Sequence, residues 1–199
     1  MWRRRRRPWR AERYLALDLE TTGLRPAVDE IVSVGMVPIR GDAIRWGEHL
    51  YTFVRGSGRR TIHAAALGVH QILPGEADEG PGLEQVVDEV SRRLAGAVLI
   101  VHHAAIDVRF LQRAFARCGR RWPRPPVIDT VRLLGRLEQR LIRLEPYPAP
   151  VPRGLAEARL RLGLPEHRAH HALADALATA ELFLALASRL GVRRVGQLL

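Results

Sequence analysis

Apolar residues fill positions 14–17, Tyr14-Leu-Ala-Leu17, within a stretch that runs to Leu19, and dominate again over 31–39. Runs of this length predict two strands, and the stretch from Ala43 to Val54 predicts a third. The period then changes. Leu83, Val86, Val87, Val90 and Leu94 recur at helical spacing, which predicts an amphipathic helix. Residues 98–102 read as a buried strand, 104–118 as a helix, Val127-Ile128 as a short strand and 130–144 as another helix. Gly56 to Arg60 is a loop, and the proline-rich run 145–153 cannot be helical throughout. Two helices, 154–162 and 172–190, close the chain. Strands first, then strands alternating with helices, argue a mixed α/β layer fold. The expected organisation is one domain over 14–190, preceded by a flexible basic arm, 1–13, and followed by a tail, 191–199. No internal repeat is visible.

The polar positions that interrupt this pattern carry the chemistry. Asp18 and Glu20 sit at the end of the first apolar run. Side chains in a strand alternate between faces, so both carboxylates point the same way. Two such groups repel, and burying them unpaired is costly. A divalent cation held by oxygen ligands is the simplest remedy. The Thr21-Thr22-Gly23 turn brings backbone and hydroxyls close to whatever that cation holds. Asp107 falls in the first turn of the 104–118 helix, where a carboxylate suits the helix dipole. Asp175 falls near the start of the last helix, five positions after His170. Five positions rotate a helix by about 140°, so the two converge only if His170 stands on the loop before it.

Asp18-x-Glu20, His102-His103-Ala-Ala-Ile-Asp107 and His170-x4-Asp175 resemble, in order and spacing, the three motifs of the DnaQ-like (DEDDh) 3′–5′ exonucleases. The similarity spans roughly residues 13–190, with smaller echoes at Asp29-Glu-Ile-Val, Leu67-Gly-Val-His70 and Val127-Ile-Asp-Thr130. The resemblance implies a ribonuclease H-like fold, a mixed five-stranded sheet flanked by helices. It implies that Asp18, Glu20, Asp107 and Asp175 hold two divalent ions, Mg²⁺ or Mn²⁺, and that His170 is the general base. Thr21, Thr22, Gly23 and His70 become candidate substrate contacts, and Asp129 a support that does not ligate metal. Two positions depart from the family pattern: His103 stands where Asn is usual and Ile106 where Phe is usual. His102 and His103 read as structural, and His171 as the competitor of His170.

Composition agrees with a polyanion as partner. The chain of 199 residues has a formal net charge of +11, and its 32 basic residues are all arginine. It contains no lysine and no asparagine, the mark of a strong coding bias. An acidic metal site in a positive molecule suits an enzyme that cuts nucleic acid. The arm interleaves arginines with Trp2 and Trp9, a composition able to lie along single-stranded nucleic acid. One cysteine, Cys118, excludes an internal disulfide, and no apolar run reaches membrane-spanning length. The N-terminus makes a poor signal peptide, so the cytoplasm is the expected compartment. The expected activity is release of nucleoside 5′-monophosphates from single-stranded 3′ ends, DNA in preference, alone or as a subunit of a DNA polymerase. An RNA-directed exoribonuclease and a catalytically silent binding module of the same fold are the alternatives.

Overall fold

In the computed structural model, which describes residues 2–56 and 79–199, one mixed sheet runs through the centre of the molecule. Its strands are β1 (Arg13–Thr21), β2 (Ile31–Arg40), β3 (Ala43–Ile44), β4 (Leu50–Phe53), β5 (Val98–Val101) and β6 (Val127–Asp129). β1 pairs antiparallel with β2 and parallel with β5, and β5 pairs parallel with β6. Five helices flank it: α1 (Leu83–Leu94), α2 (Ala104–Arg117), α3 (Thr130–Leu144), α4 (Leu155–Arg161) and α5 (Ala172–Arg189). The loop expected at 56–60 and His70 lie largely or wholly outside the described residues.

Strand parity divides the core into two layers. Tyr14 and Ala16 of β1 face the layer of α3 and α5, together with Val37, Ile39, Phe183 and Leu186. Leu15 and Leu17 face the layer of α1 and α2, with Val87, Val90, Phe110 and Phe115. Asp18 and Glu20 continue the even-numbered face, towards α5.

Six strands occupy the five places expected. The segment 43–54 is not one strand. β3 and β4 both pair with β2, separated by a 3₁₀ turn at Trp46–Glu48. Pro38 supplies the reason. Its carbonyl accepts the Arg45 N–H, so its missing N–H faces that same edge, and the ladder has no donor there.

The arm and the tail are also not what the composition implies. Residues 2–12 are folded against the C-terminal segment. Trp2–Arg5 form a helical turn, and Pro8 bridges to Arg194. The Trp9 N–H donates to the Arg193 carbonyl, and the Val195 N–H to that of Arg7. Trp9 is 4% exposed, and its ring meets Phe183 edge-on at 6.0 Å. Like-charged runs are usually solvated, but burial of one indole outweighs the repulsion, and Glu12 pairs with both Arg4 and Arg7. Val192, Val195 and Leu198 of the tail complete this cluster. Trp9 is therefore unavailable to stack on bases. Trp9→Ala is expected to destabilise the fold by about 3–5 kcal/mol, as for large aromatic truncations in a core. Equilibrium denaturation in urea measures it, and a change below about 1 kcal/mol would show the arm to be peripheral.

Candidate active site

Three segments bring four carboxylates to one cleft of ≈ 930 Å³. Asp18 and Glu20 enter it from the end of β1, Asp107 from the first turn of α2, and Asp175 from the first turn of α5. Ligand oxygens of Asp18, Glu20 and Asp175 lie within 4.8 Å of one another. Glu20, Asp107 and Asp175 are buried, and Asp18 is partly so.

Close packing sets this spacing. Gly35 stands opposite Asp18 in the β1–β2 register. A Cβ on Gly35 would come within 2.1 Å of the Ala172 carbonyl oxygen, so only glycine lets the start of α5 approach the sheet here. That approach carries Asp175 to the pair on β1. Asp129 fixes Asp107 from the other side. Its carboxylate accepts the N–H groups of His103, Ala104 and Val131, and so caps α2 and α3 together.

Electrostatics follow from burial and crowding. Burial first, then the charges of Asp107, Asp175 and Glu20, raise Asp18 well above the usual carboxylate range. Burial, then Asp175 and Asp107, push Glu20 up to about 8. Burial lifts Asp107 to about 7, although backbone N–H groups, including that of Leu19, favour its charged form. A cluster that keeps its protons near neutrality is a donor set in want of positive charge. Hard oxygen ligands of this kind fit a divalent cation such as Mg²⁺ or Mn²⁺.

The histidines separate clearly. His170 stands on the loop before α5 in the left-handed region, φ 63°, and lines the cleft. Its backbone N–H donates to Asp175 Oδ2 at 2.8 Å, which answers the convergence question posed by the spacing. His171 caps α5 and stacks on Tyr51 at 4.5 Å, away from the cleft lining. His102 is held at both ring nitrogens, by Thr130 and by the Arg153 carbonyl, and burial pushes it down to about 4. His103 adopts φ 68° at the start of α2. Asn, Asp and His are the side chains that tolerate this region, which accounts for His in the place of the usual Asn. Ile106 lines the cleft, 37% exposed.

Thr21 and Gly23 line the cleft, but Thr22 does not. Thr22 is buried, and its hydroxyl accepts the Glu30 N–H at 3.0 Å, so it closes the turn. Gly23 is required because Asp29 packs against it: a Cβ would lie 2.6 Å from the Asp29 carboxylate.

Two residues escaped the sequence reading. His167 Nε2 lies 2.9 Å from Asp175 Oδ1, in the cleft wall. Its signal was a third histidine three residues before His170. Arg159, 1% exposed, donates to the Ala178 and Pro165 carbonyls and pairs with Glu181 at 2.7 Å. It ties α4 and α5 to the loop that carries His167 and His170. A charged position on a short helix gave no sign of it.

The comparisons with known proteins agree with this geometry. The RNase T-type exonuclease family, described as "Exonuclease", matches residues 15–183. The chain belongs to this DnaQ-like exonuclease family. It is 34% identical over 183 residues to a DNA polymerase III subunit epsilon-like protein of Rhodobacter capsulatus, covering 90% of this chain and 24% of that one. It is 31% identical over 189 residues to a DNA polymerase III PolC-type of Thermotoga maritima, covering 93% of this chain and 13% of the relative. This exonuclease chain thus spans a quarter or less of these relatives' length. Among solved structures, E. coli exonuclease I in complex with a dT13 oligonucleotide superposes with a TM-score of 0.78 at 17% identity, over 90% of this chain and 42% of that one. The fold is therefore that of the ribonuclease H-like exonucleases. Among the described residues no helix is long and apolar enough to cross a membrane.

Two outcomes test the site itself. Asp18, Glu20 and Asp107 hold protons more tightly folded than unfolded, where carboxylates titrate near pH 4. Their contribution to stability is complete below that range and is lost as pH rises through about 7 to 8 and beyond. The melting temperature of chelator-treated protein should therefore fall between about pH 5 and pH 8.5, and Asp18→Asn should flatten that fall; a flat wild-type profile would count against a crowded buried cluster. Gly35→Ala should cost about 1–3 kcal/mol of stability through overpacking against Ala172. A neutral result in denaturant would show that α5 is free to move.

Proposed function

We propose that this chain is a metal-dependent 3′–5′ exonuclease that hydrolyses the terminal phosphodiester of single-stranded nucleic acid, DNA in preference, and releases nucleoside 5′-monophosphates. The observation that carries the reading is the convergence of Asp18, Glu20 and Asp175 oxygens within 4.8 Å in a cleft shared with Asp107 and His170. The four carboxylates would hold two divalent ions, Mg²⁺ or Mn²⁺. Such ions, when bound, polarise a scissile phosphate and lower the proton affinity of water.

The chain's own residues supply the rest. Asp107 and Asp175 complete the cradle from two helix N-termini, where the dipoles favour their charged forms. The imidazole of His170 makes no hydrogen bond among the described residues, since the residue is tied to Asp175 through its backbone N–H alone. It is free to take the proton of an attacking water as general base. Asp129 keeps Asp107 in place, and Arg159 steadies the His167–His170 loop. Thr21 and Gly23 line the wall nearest Glu20 and would border the terminal nucleotide. No side chain forms a covalent intermediate. The names of the relatives support a polymerase subunit as partner.

Purified protein with single-stranded DNA, duplex DNA and short RNA, with and without Mg²⁺ or Mn²⁺, tests the reading. Turnover should need the metal, and persistent hydrolysis after exhaustive chelation would overturn it. Bound cation should also raise the melting temperature, more at pH 8 than at pH 6, because the cluster then loses fewer protons on binding. His170→Ala should lower turnover by about 10²–10⁴-fold while leaving this thermal shift in place. Asp175→Ala should lose both turnover and most of the shift. His171→Ala should cost little turnover, since that ring packs on Tyr51; a crippling effect there would move the general base to the other histidine.

A further inference from the structure

The fold separates charge end from end. The carboxylate cleft lies at the C-terminal end of β1, and the Arg-rich segment precedes β1, at its opposite end. α5 starts beside the cleft and ends at Arg189, about 27 Å away at 1.5 Å per residue. α3 also leaves the cleft end, from Thr130, and finishes beside the end of α5. Arg136 donates to the Gln197 carbonyl, and Arg140 Nη1 to that of Leu190 at 2.9 Å.

Where these ends meet there is a second cavity, of ≈ 360 Å³, lined by Arg136, Gln139, Arg140, Arg143, Leu144 and Leu190. None of the lining residues is acidic. Arg136, Arg140 and Arg143 lie at i, i+4 and i+7, one face of α3. Arg136 and Arg140 each commit one nitrogen to a carbonyl and keep donors to spare. The side chains of Arg143, which lines the cavity, and of Arg189 and Arg193, which flank its Leu190 in sequence without lining it, are exposed and make no ion pair among the described residues. Arg92, Arg93 and Arg120 are offset by nearby acids. This group is not, and among the described residues neither are Arg45, Arg113 and Arg121 elsewhere on the surface, so what sets the group apart is its gathering at one cavity and not the missing partners.

We propose that this arginine pocket is a second binding surface for the phosphate backbone of nucleic acid, which holds the substrate strand far from its reacting 3′ end. The proposal rests on the exonuclease reading for the identity of the polyanion. Guanidinium groups suit phosphate oxygens, with planar donors in pairs. A strand already seated at the cleft presents its other phosphates here at high effective concentration, an advantage that a separate acidic protein lacks. Bridging about 27 Å takes roughly 8 nucleotides at a stacked rise of 3.4 Å, so short oligonucleotides gain nothing from the pocket.

The test is the combined variant Arg143→Glu, Arg189→Glu, Arg193→Glu, set against a control with as many reversals at Arg45, Arg113 and Arg121, outside the pocket. Fluorescence anisotropy with Mg²⁺ and oligothymidylates whose 3′-terminal linkages are hydrolysis-resistant phosphorothioates reads binding of twenty-nucleotide and four-nucleotide strands without turnover. The pocket variant should weaken the longer strand by about tenfold or more and flatten its salt dependence by about two logarithmic units, at about 0.7 per phosphate contact. The shorter strand should change less than twofold, and the control should leave the longer strand within twofold. With Mg²⁺, KM for the longer strand should rise in step while kcat holds. Arg143→Gln alone, at a side chain with no partner to lose, should cost about threefold and leave the melting temperature unchanged. Equal losses in the control variant, or an unchanged salt slope in the pocket variant, would overturn the proposal even if exonuclease activity is present. Binding lost only in the pocket variant would sustain it even if no turnover were found.

Discussion

Everything in this molecule is arranged around mutual repulsion of carboxylates. Two unit charges about 5 Å apart repel by about 3 kcal/mol at an effective dielectric of about 20. Several such pairs in one buried cleft rival the whole stability of an ordinary domain. Burial first, and for Asp18 and Glu20 the neighbouring carboxylates as well, favours the protonated forms, so Asp18, Glu20 and Asp107 all sit above their usual range. Scaffold packing holds the groups together against that force. The sheet fixes Asp18 and Glu20 by register, the close approach at Gly35 fixes Asp175, and Asp129 fixes the turn that carries Asp107. Each device is rigid backbone or buried hydrogen bonding, because a flexible loop would relax and let the carboxylates part.

Legibility in the sequence followed the range of the interactions. Period-two alternation placed Asp18 and Glu20 on one face, and the structure has both on the face of α5. Helical spacing from Leu83 to Leu94 located α1, and α3 lies where a helix is expected, from Thr130 to about Leu144. His170 on a loop was forced by a rotation that a helix could not satisfy. The failures were long-range. Nothing near Trp9 announces that its partners are Phe183 and Val195. A run of arginines reads as solvated, and its burial partner is almost the whole chain away. The break between β3 and β4 depended on a donor missing from Pro38, a residue on the neighbouring strand. The Thr22 hydroxyl closes the turn beside the motif, one of the two roles its place allowed, and Arg159, a charge on a short helix, is buried without any local sign of it.

His103 shows how composition and geometry meet at one position. The backbone there is left-handed, which restricts the side chain to a few types. Asparagine is the usual choice, and this chain has none. Histidine meets the backbone requirement, and its main-chain N–H still reaches Asp129. The exchange therefore keeps the start of α2, and with it Asp107, while placing an exposed ring at the mouth of the cleft. Ile106, beside it, removes an aromatic face in the same region. The wall of this cleft is thus chemically different from the family pattern although its carboxylates are intact.

The same topology that gathers the acids also sorts the bases. Parallel strands deliver their C-terminal ends, and the helices that follow, to one edge of the sheet. Acids at helix starts and arginines at helix ends both gain from the helix dipole, so the two kinds of charge move to opposite ends without further design. α3 and α5 run together away from the cleft and finish in Arg143 and Arg189. The N-terminal arginines join them because the arm is pinned to the C-terminal segment by Trp9. A polyanion approaching this field is drawn to the basic end and repelled by an empty cleft. Under the proposed function, divalent ions held by the four carboxylates would reverse that local sign, and their occupancy rather than net charge would govern which part of a strand reaches Asp18.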